Sequence, residues 1–378
     1  NFVNKDVTWE TVETIDFGFD LSLFDNKVNL LATYFRKETR DFLIFLPIPR
    51  ITGFGSTPIN AGNVLNRGIE LELGYNSRIG RDFNFNVSAN LTTVKNELLE
   101  LAPGIEEFIA TGNYRTAIGF PIGYFYGYET RGIYQTPADA AGALTDVLSP
   151  QGPRAGDIIF VDNNGPAPEN APAGQQFSGE PDGRVDFNDR TYLGKTIPDF
   201  FYGFNIAADY KSFDLSIFLQ GVSGVQIYNQ VRNQAEGLTG GGRNLFATTQ
   251  NRWTGPGTSN EMPRAVATDP NSNNRFSDRW IENGGFMRLR NVQLGYTIPQ
   301  AALNRTKVFS SARIYISGSN LITITDYTGL DPEVMTYRSN GNQIGQDAVG
   351  NPPAGGSGTD NGNMPQPRIL QIGAQLRF

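Results

Sequence analysis

The segment FSGEPDGRVDFNDR at 177–190 is the richest polar cluster in the chain, and its spacing could hold a cation. If Gly183 is the sharp-turn glycine at the sixth position of a calcium loop, Asp182 falls at position five, Val185 at eight, Asp186 at nine and Asp189 at twelve. Asp189 is a shorter closing ligand than the usual glutamate, so the same residues also read as an acidic loop held by hydrogen bonds. Glu70 and Glu72 sit two apart on one strand face, a carboxylate pair that could do acid/base work. LTGGGRN at 238–244 offers the glycines of a phosphate cradle but lacks the preceding strand, the following helix and the Lys-Ser/Thr pair, and it reads as a loop tip. Tyr124, Tyr126, Tyr128, Tyr134, Trp253 and Trp280 lie between strand-like segments and are candidate contacts for sugar rings or peptide side chains, because a rigid ring supplies contact area at little entropic cost. The same rings could instead pack the loops or sit in an interfacial aromatic girdle.

Composition narrows this chemistry. The 378 residues include 0 His and 0 Cys, which removes the commonest general base and metal ligand, every Ser/His or Cys/His pair, and all disulfides. Only carboxylate-based hydrolysis stays open, and no enzymatic activity is expected. Apolar residues make up 39% and aromatics 12%, with 26 Phe and 15 Tyr, a balance suited to apolar strand faces rather than a thick core. The 43 Gly and 22 Pro imply many turns and long loops. A net charge of −7 argues against nucleic acid, or anionic lipid headgroups, as the main partner. No apolar run approaches the roughly 20 residues of a membrane helix, and DFLIFLPIPRI at 41–51 is broken by Pro47 and Pro49. A membrane form of this chain is therefore a β-barrel. The chain begins at Asn1 with neither initiator Met nor signal peptide and is read as a mature piece or a fragment of something longer.

The elements that must carry these residues show a period of two. In RGIELELGYNSRIGRDFNFNVSANLTT at 67–93, Ile69, Leu71, Leu73 and Tyr75 alternate with Glu70, Glu72, Gly74 and Asn76; after a polar turn Phe83, Phe85, Val87, Ala89 and Leu91 alternate with Asn84, Asn86, Ser88 and Asn90. The pattern predicts strands near 10–22, 27–39, 64–78, 82–96, 198–210, 213–224, 286–299, 311–323 and 367–378. Most are long enough to cross a bilayer, which takes about 9–11 tilted residues. Connections alternate between short (24–26, 79–81, 211–212, 300–310) and long (40–63, 97–197, 225–285, 324–366), the asymmetry of outer-membrane barrels with short periplasmic turns and long extracellular loops. Residues 97–197 are expected to be one extracellular excursion. A two-sheet soluble sandwich is the rival, but the oily faces carry few charges and the opposite faces are rich in Asn, Ser and Gly. An odd strand number points to a part of a barrel rather than a whole one. Ile69, Leu71, Leu73, Phe83, Phe85 and Val87 are thus expected to face lipid, with Glu70, Glu72, Asn84 and Asn86 in a water-filled lumen.

Five segments, in order, carry a family resemblance: NAGNVLNRGIELELGY (60–75), DGRVDFNDRTYLGKTIPDFFYGFN (182–205), FSDRWIENGGFMRLRNVQLGYTIP (276–299), SGSNLITITDYTGLDPEV (317–334) and PRILQIGAQLRF (367–378). Together they resemble the C-terminal barrel segments of SusC/RagA-like TonB-dependent outer-membrane transporters of Bacteroidota, across nearly the whole chain. The resemblance implies an all-β transmembrane antiparallel barrel of 22 strands, of which residues 1–378 would supply the last nine, with no plug domain or TonB box. It implies active import of oligosaccharides or peptides with a SusD-like surface lipoprotein as lid, and coupling to TonB through sequence absent here. It implies an assembly signal at the terminal Phe378. The family often carries D-x-N-x-D-G as one run; here Asp162 and Asn164 supply the first half, and an insertion separates them from Asp182-Gly183, which puts the calcium loop in doubt. A passive porin or adhesin barrel is the alternative, and an outer-membrane hydrolase a more distant one.

Overall fold

The computed structural model describes residues 7–47, 56–101, 108–111, 113–169, 177–239, 242–304, 308–334 and 358–378. Nine long strands form one sheet: β1 (Thr11–Leu23), β2 (Val28–Pro47), β3 (Ser56–Ile79), β4 (Phe83–Thr93), β5 (Phe200–Tyr210), β6 (Phe213–Ser223), β7 (Phe286–Thr297), β8 (Ser311–Thr325) and β9 (Ile369–Arg377). Each lies antiparallel beside the next in chain order. The segment Lys95–Leu101 continues β4 past a break at Val94 and pairs β3 in the same register as far as Val64, Asn66 opposite Asn96 following Glu70 opposite Thr92, with a shift between Val64 and Asn63.

Antiparallel partners project to the same face, so the register tests the alternation residue by residue. One row reads Val87, Ile206, Ile217, Val292 across β4 to β7. Another reads Leu21, Leu30, Leu73, Ala89 across β1 to β4. The opposite face carries Glu72 beside Asn90, Asn76 beside Asn86 and Ser317 beside Gln371. No part of the described chain covers the apolar face: Phe17 is 75% exposed, Leu73 50%, Ile316 53% and Ile372 83%. A soluble monomer rarely leaves more than a few hundred Å² of contiguous apolar surface bare. The sandwich reading fails here, because among the described residues no second sheet packs on this face.

The tight connections use left-handed backbone where the chain must reverse. Phe24, Asp25 and Asn26 have φ of 55°, 57° and 63°, and Lys211 has 54°, a region that Asp and Asn tolerate best among non-glycine residues. Residues 40–63, expected to be a long connection, are mostly strand instead. β2 and β3 keep pairing as far as Pro47 opposite Ser56, across register shifts at 39–43. Asp41 takes the irregular position with φ 55°. Phe42, Ala61, Val64, Leu98 and Leu101 form a buried cluster there, with Ile122 packed on it, so this extension has a core of its own. Residues 48–51 of the apolar run, and 240–241 of the glycine-rich tip, lie outside the described residues.

Gly68 marks the closest approach in this hairpin. A Cβ there would lie 1.8 Å from the Thr93 carbonyl oxygen and 2.8 Å from the Phe35 ring. Gly68→Ala should therefore destabilise the folded barrel by about 1–3 kcal/mol, the usual cost of overpacking. Gly74→Ala, where the nearest neighbour is at 3.9 Å, should be close to neutral, with both variants measured by urea unfolding.

Candidate functional site

The described parts of 97–197 and 225–285 pack against one another as a loop body on the polar side of the sheet. Asn96, on the polar face, accepts from the Ile122 N–H at 2.8 Å and donates to Asn66 at 2.8 Å. Two apolar clusters build the body: Tyr128, Ile133, Ile158, Phe160 and Val185, with Trp253 packed against them, and Tyr114, Phe125, Tyr228 and Trp280, with Phe276 beside them. Buried ion pairs tie segments far apart in sequence. Arg264 donates to both oxygens of Asp157 at 2.8 and 3.0 Å. Arg275 pairs with Asp146 at 2.7 Å and stacks its guanidinium 3.8 Å from the Phe160 ring centroid. Such bidentate and stacked geometry is what Arg offers and Lys does not.

Most of the candidate rings belong to this interior. Tyr124 is 2% exposed, Tyr126 4%, Tyr128 5% and Trp280 0%. The strand Tyr124–Gly127 is flanked by Thr191–Gly194 and Tyr114–Thr116, and all four of its residues are buried. Burial pushes the Tyr124 and Tyr128 phenols up to about 12, despite the nearby Arg115 and Arg275. These four rings hold the loops together, which corrects their reading as ligand contacts. Tyr134 and Trp253 keep partial exposure, and the Trp253 Nε1–H donates to Gln135 Oε1 at 3.2 Å. Tyr134 lines a cleft of about 450 Å³ together with Arg131, Asp139, Asp146, Asp162 and Phe160. Among the exposed loop rings that were missed, Phe120 and Tyr192, 42% and 38% exposed, have centroids 5.9 Å apart. Tyr192 alternates with Leu193, which packs on the Tyr114 and Phe125 cluster, and that outward parity was the available signal.

The acidic loop does come together, though not as a cation cage. Asp162 accepts from the N–H groups of Asp182 and Gly183 at 3.2 and 2.7 Å. Asp182 accepts from Arg184 N–H at 3.0 Å, and Asp186 from Asn188 N–H at 2.7 Å. Asp189, fully buried, takes the N–H groups of Asn163, Asn164 and Asp186 at 2.7, 3.0 and 2.6 Å. Burial pushes its carboxyl above the ordinary value, and those N–H bonds oppose the shift. The carboxylate oxygens thus point at backbone donors rather than at one shared centre. Among the described residues no group of acidic side chains is spaced to hold a metal ion. The residues fit the hydrogen-bonded loop and not a calcium site. Neither calcium nor a chelator should shift the melting temperature. Asp189→Ala, which strands three buried donors, should cost at least about 1–3 kcal/mol locally, read by limited proteolysis at 160–190.

The paired carboxylates Glu70 and Glu72 lie on the polar face, opposite Thr92 and Asn90 on β4 and Thr33 and Leu31 on β2. Phe378 packs its ring on Phe309 at 5.2 Å, and Ser310 Oγ–H lies within reach of its carbonyl at 3.2 Å.

Residues 1–321 match the family described as TonB dependent receptor-like, beta-barrel. TonB-dependent receptor P3 of Formosa agariphila is 32% identical over 386 residues, covering 100% of this chain and 35% of that protein. TonB-dependent receptor SusC of Bacteroides thetaiotaomicron is 27% identical over 349 residues, covering 88% of this chain and 30% of that protein. The RagAB peptide importer in its closed-closed state superposes with a TM-score of 0.74 at 25% identity, covering 99% of this chain and 36% of the matched one. The chain spans about a third of the length of the curated relatives it matches.

Proposed function

The chain belongs to the TonB dependent receptor-like β-barrel family, and on that premise we propose that it forms nine contiguous strands in the wall of a larger outer-membrane barrel, about 22 strands around, that actively imports oligosaccharides or peptides. The observation that carries this reading is the uncovered apolar face, in register over all nine strands, backed by a polar face on which the loop body sits. Lipid covers the first face and the water-filled lumen lies behind the second. β1 and β9 each have one partner strand among the described residues, and strands contributed by the rest of the protein would close both edges. The long connections stand on the extracellular side, where Tyr134, Trp253, Phe120 and Tyr192 are among the rings accessible to cargo. A SusD-like lipoprotein would cap this side, and TonB would drive release through a plug contributed by other sequence; the TonB-dependent receptor SusC among the relatives supports the TonB coupling.

Purification of the full-length protein in a gentle detergent, followed by mass spectrometry of what accompanies it, tests this. A stoichiometric surface lipoprotein is expected, with a bound oligosaccharide or peptide. A lone barrel that admits solutes without TonB would replace the importer with a passive porin.

A further inference from the structure

We propose that the outward face of β2, β3 and the continuation of β4 binds the phosphorylated headgroup of an outer-leaflet lipid. The inference rests on the barrel reading above. On that face, Tyr34 and Ile69 are cross-strand partners within the apolar band, and the next outward pair is Arg36 opposite Arg67. Arg67 in turn opposes Lys95. Three cations therefore stand side by side on adjacent strands about 4.8 Å apart, two residues beyond the last apolar row. Like charges placed directly opposite one another are unfavourable in a sheet unless an anion lies between them.

The next row out reads Glu13, Glu38, Leu65 and Glu97 across β1 to the continuation of β4, three carboxylates with the buried Leu65 among them. Glu38 lies 2.7 Å from Arg36, and Glu97 lies 3.5 Å from Arg67 and 3.3 Å from Lys95. Glu38 is also held by Arg40 at 2.9 Å, and Glu13 by Arg40 at 2.7 Å. Four cations thus face three carboxylates. The carboxylates sit on the side away from the apolar band, and Arg36 and Arg67 carry five N–H donors each. The row lies toward the long-connection end of the strands, since the turn at 24–27 closes the other end of the same hairpin; by the barrel asymmetry that is the outer leaflet. A phosphate at the hydrocarbon boundary would meet a bidentate-capable guanidinium pair, the geometry that suits it best. The net charge of −7 conceals this patch, because the favourable field is local.

The test uses the full-length protein in detergent micelles, titrated with monophosphoryl lipid A, with the same lipid after dephosphorylation, and with inorganic phosphate. Binding is followed by tryptophan fluorescence and by unfolding temperature, and gel heat-modifiability reports the folded barrel. The phosphorylated lipid should bind and stabilise, the dephosphorylated one at least about tenfold more weakly. R36Q/R67Q/K95Q should lose the difference while staying heat-modifiable, and R36K/R67K, which keeps the charge but not the bidentate fork, should keep only part of it. Equal binding of the two lipids, an undiminished response in the glutamine variant, or a full response to inorganic phosphate alone overturns the proposal. A wild-type protein that is not heat-modifiable removes the barrel reading, and this proposal with it.

Discussion

Replacing Ile217 with arginine is expected to cost about 2–4 kcal/mol of barrel stability in a bilayer, whereas Ser216→Arg, one residue away, should cost little. Ile217 sits in the middle of β6, with Ile206 on one side and Val292 on the other. That row continues to Val87 on β4, so four strands present aliphatic groups at one level. A charge placed there must enter hydrocarbon or drag water toward it. Ser216 projects to the other face, beside Ala207 and Gln293, where an arginine stays in the aqueous lumen. Urea unfolding from lipid vesicles measures both. Equal costs at the two positions would mean the two faces see the same solvent.

The second large effect is expected at Arg288. Its side chain, 2% exposed, donates to Asp331 at 2.6 Å, to Glu333 at 2.9 Å and to the Thr323 hydroxyl at 2.9 Å. Asp331 also accepts from the Gln366 N–H at 2.9 Å. The segment after β8 is thereby pinned to the polar wall of the barrel. Arg288→Met leaves a buried carboxylate without its partner, which typically costs about 3–5 kcal/mol. The loss should appear as release of 326–334 to protease, with the barrel still folded. Arg288→Met with Asp331→Leu should be milder than the single change, because no buried charge is then stranded. The pH dependence has a definite sign. Burial alone would raise the Asp331 carboxyl, but the Gln366 N–H, Arg288 and the Glu333 N–H outweigh it and hold the group below its usual range. Its contribution is therefore full above the unfolded value of about 3.9 and is lost as pH falls through the lower folded value.

The wall was legible because lipid and lumen impose a period of two on every strand, and residues such as Leu71/Glu72 or Phe85/Asn86 state it without reference to any partner. The β2–β3 extension was not, because its pairing survives register shifts around Phe42 that break the alternation. The same limit applies to the Arg288 latch. Arg290 is skipped in the pairing of β7 with both neighbours, and the acidic partners lie more than 40 positions away. In the loop body, Tyr124, Tyr126 and Tyr128 looked available because loops are usually exposed. The continuous run Tyr124–Gly127 was the counter-signal, since a strand covered on both faces loses its alternation. The acidic loop had the spacing of a cation site, and only the backbone geometry shows its carboxylates turned to N–H donors.

The central claim, that one face of this sheet meets lipid and the other water, can be read directly. The stretch has no native cysteine, so single cysteines at Leu215, Ser216, Ile217, Leu219 and Gln220 can each carry a spin label in the full-length protein in vesicles. Labels at 215, 217 and 219 should be reached by oxygen dissolved in the bilayer, and those at 216 and 220 by a water-soluble nickel chelate. Labels at 215, 217 and 219 shielded from both reagents would place a protein core against that face and contradict the barrel.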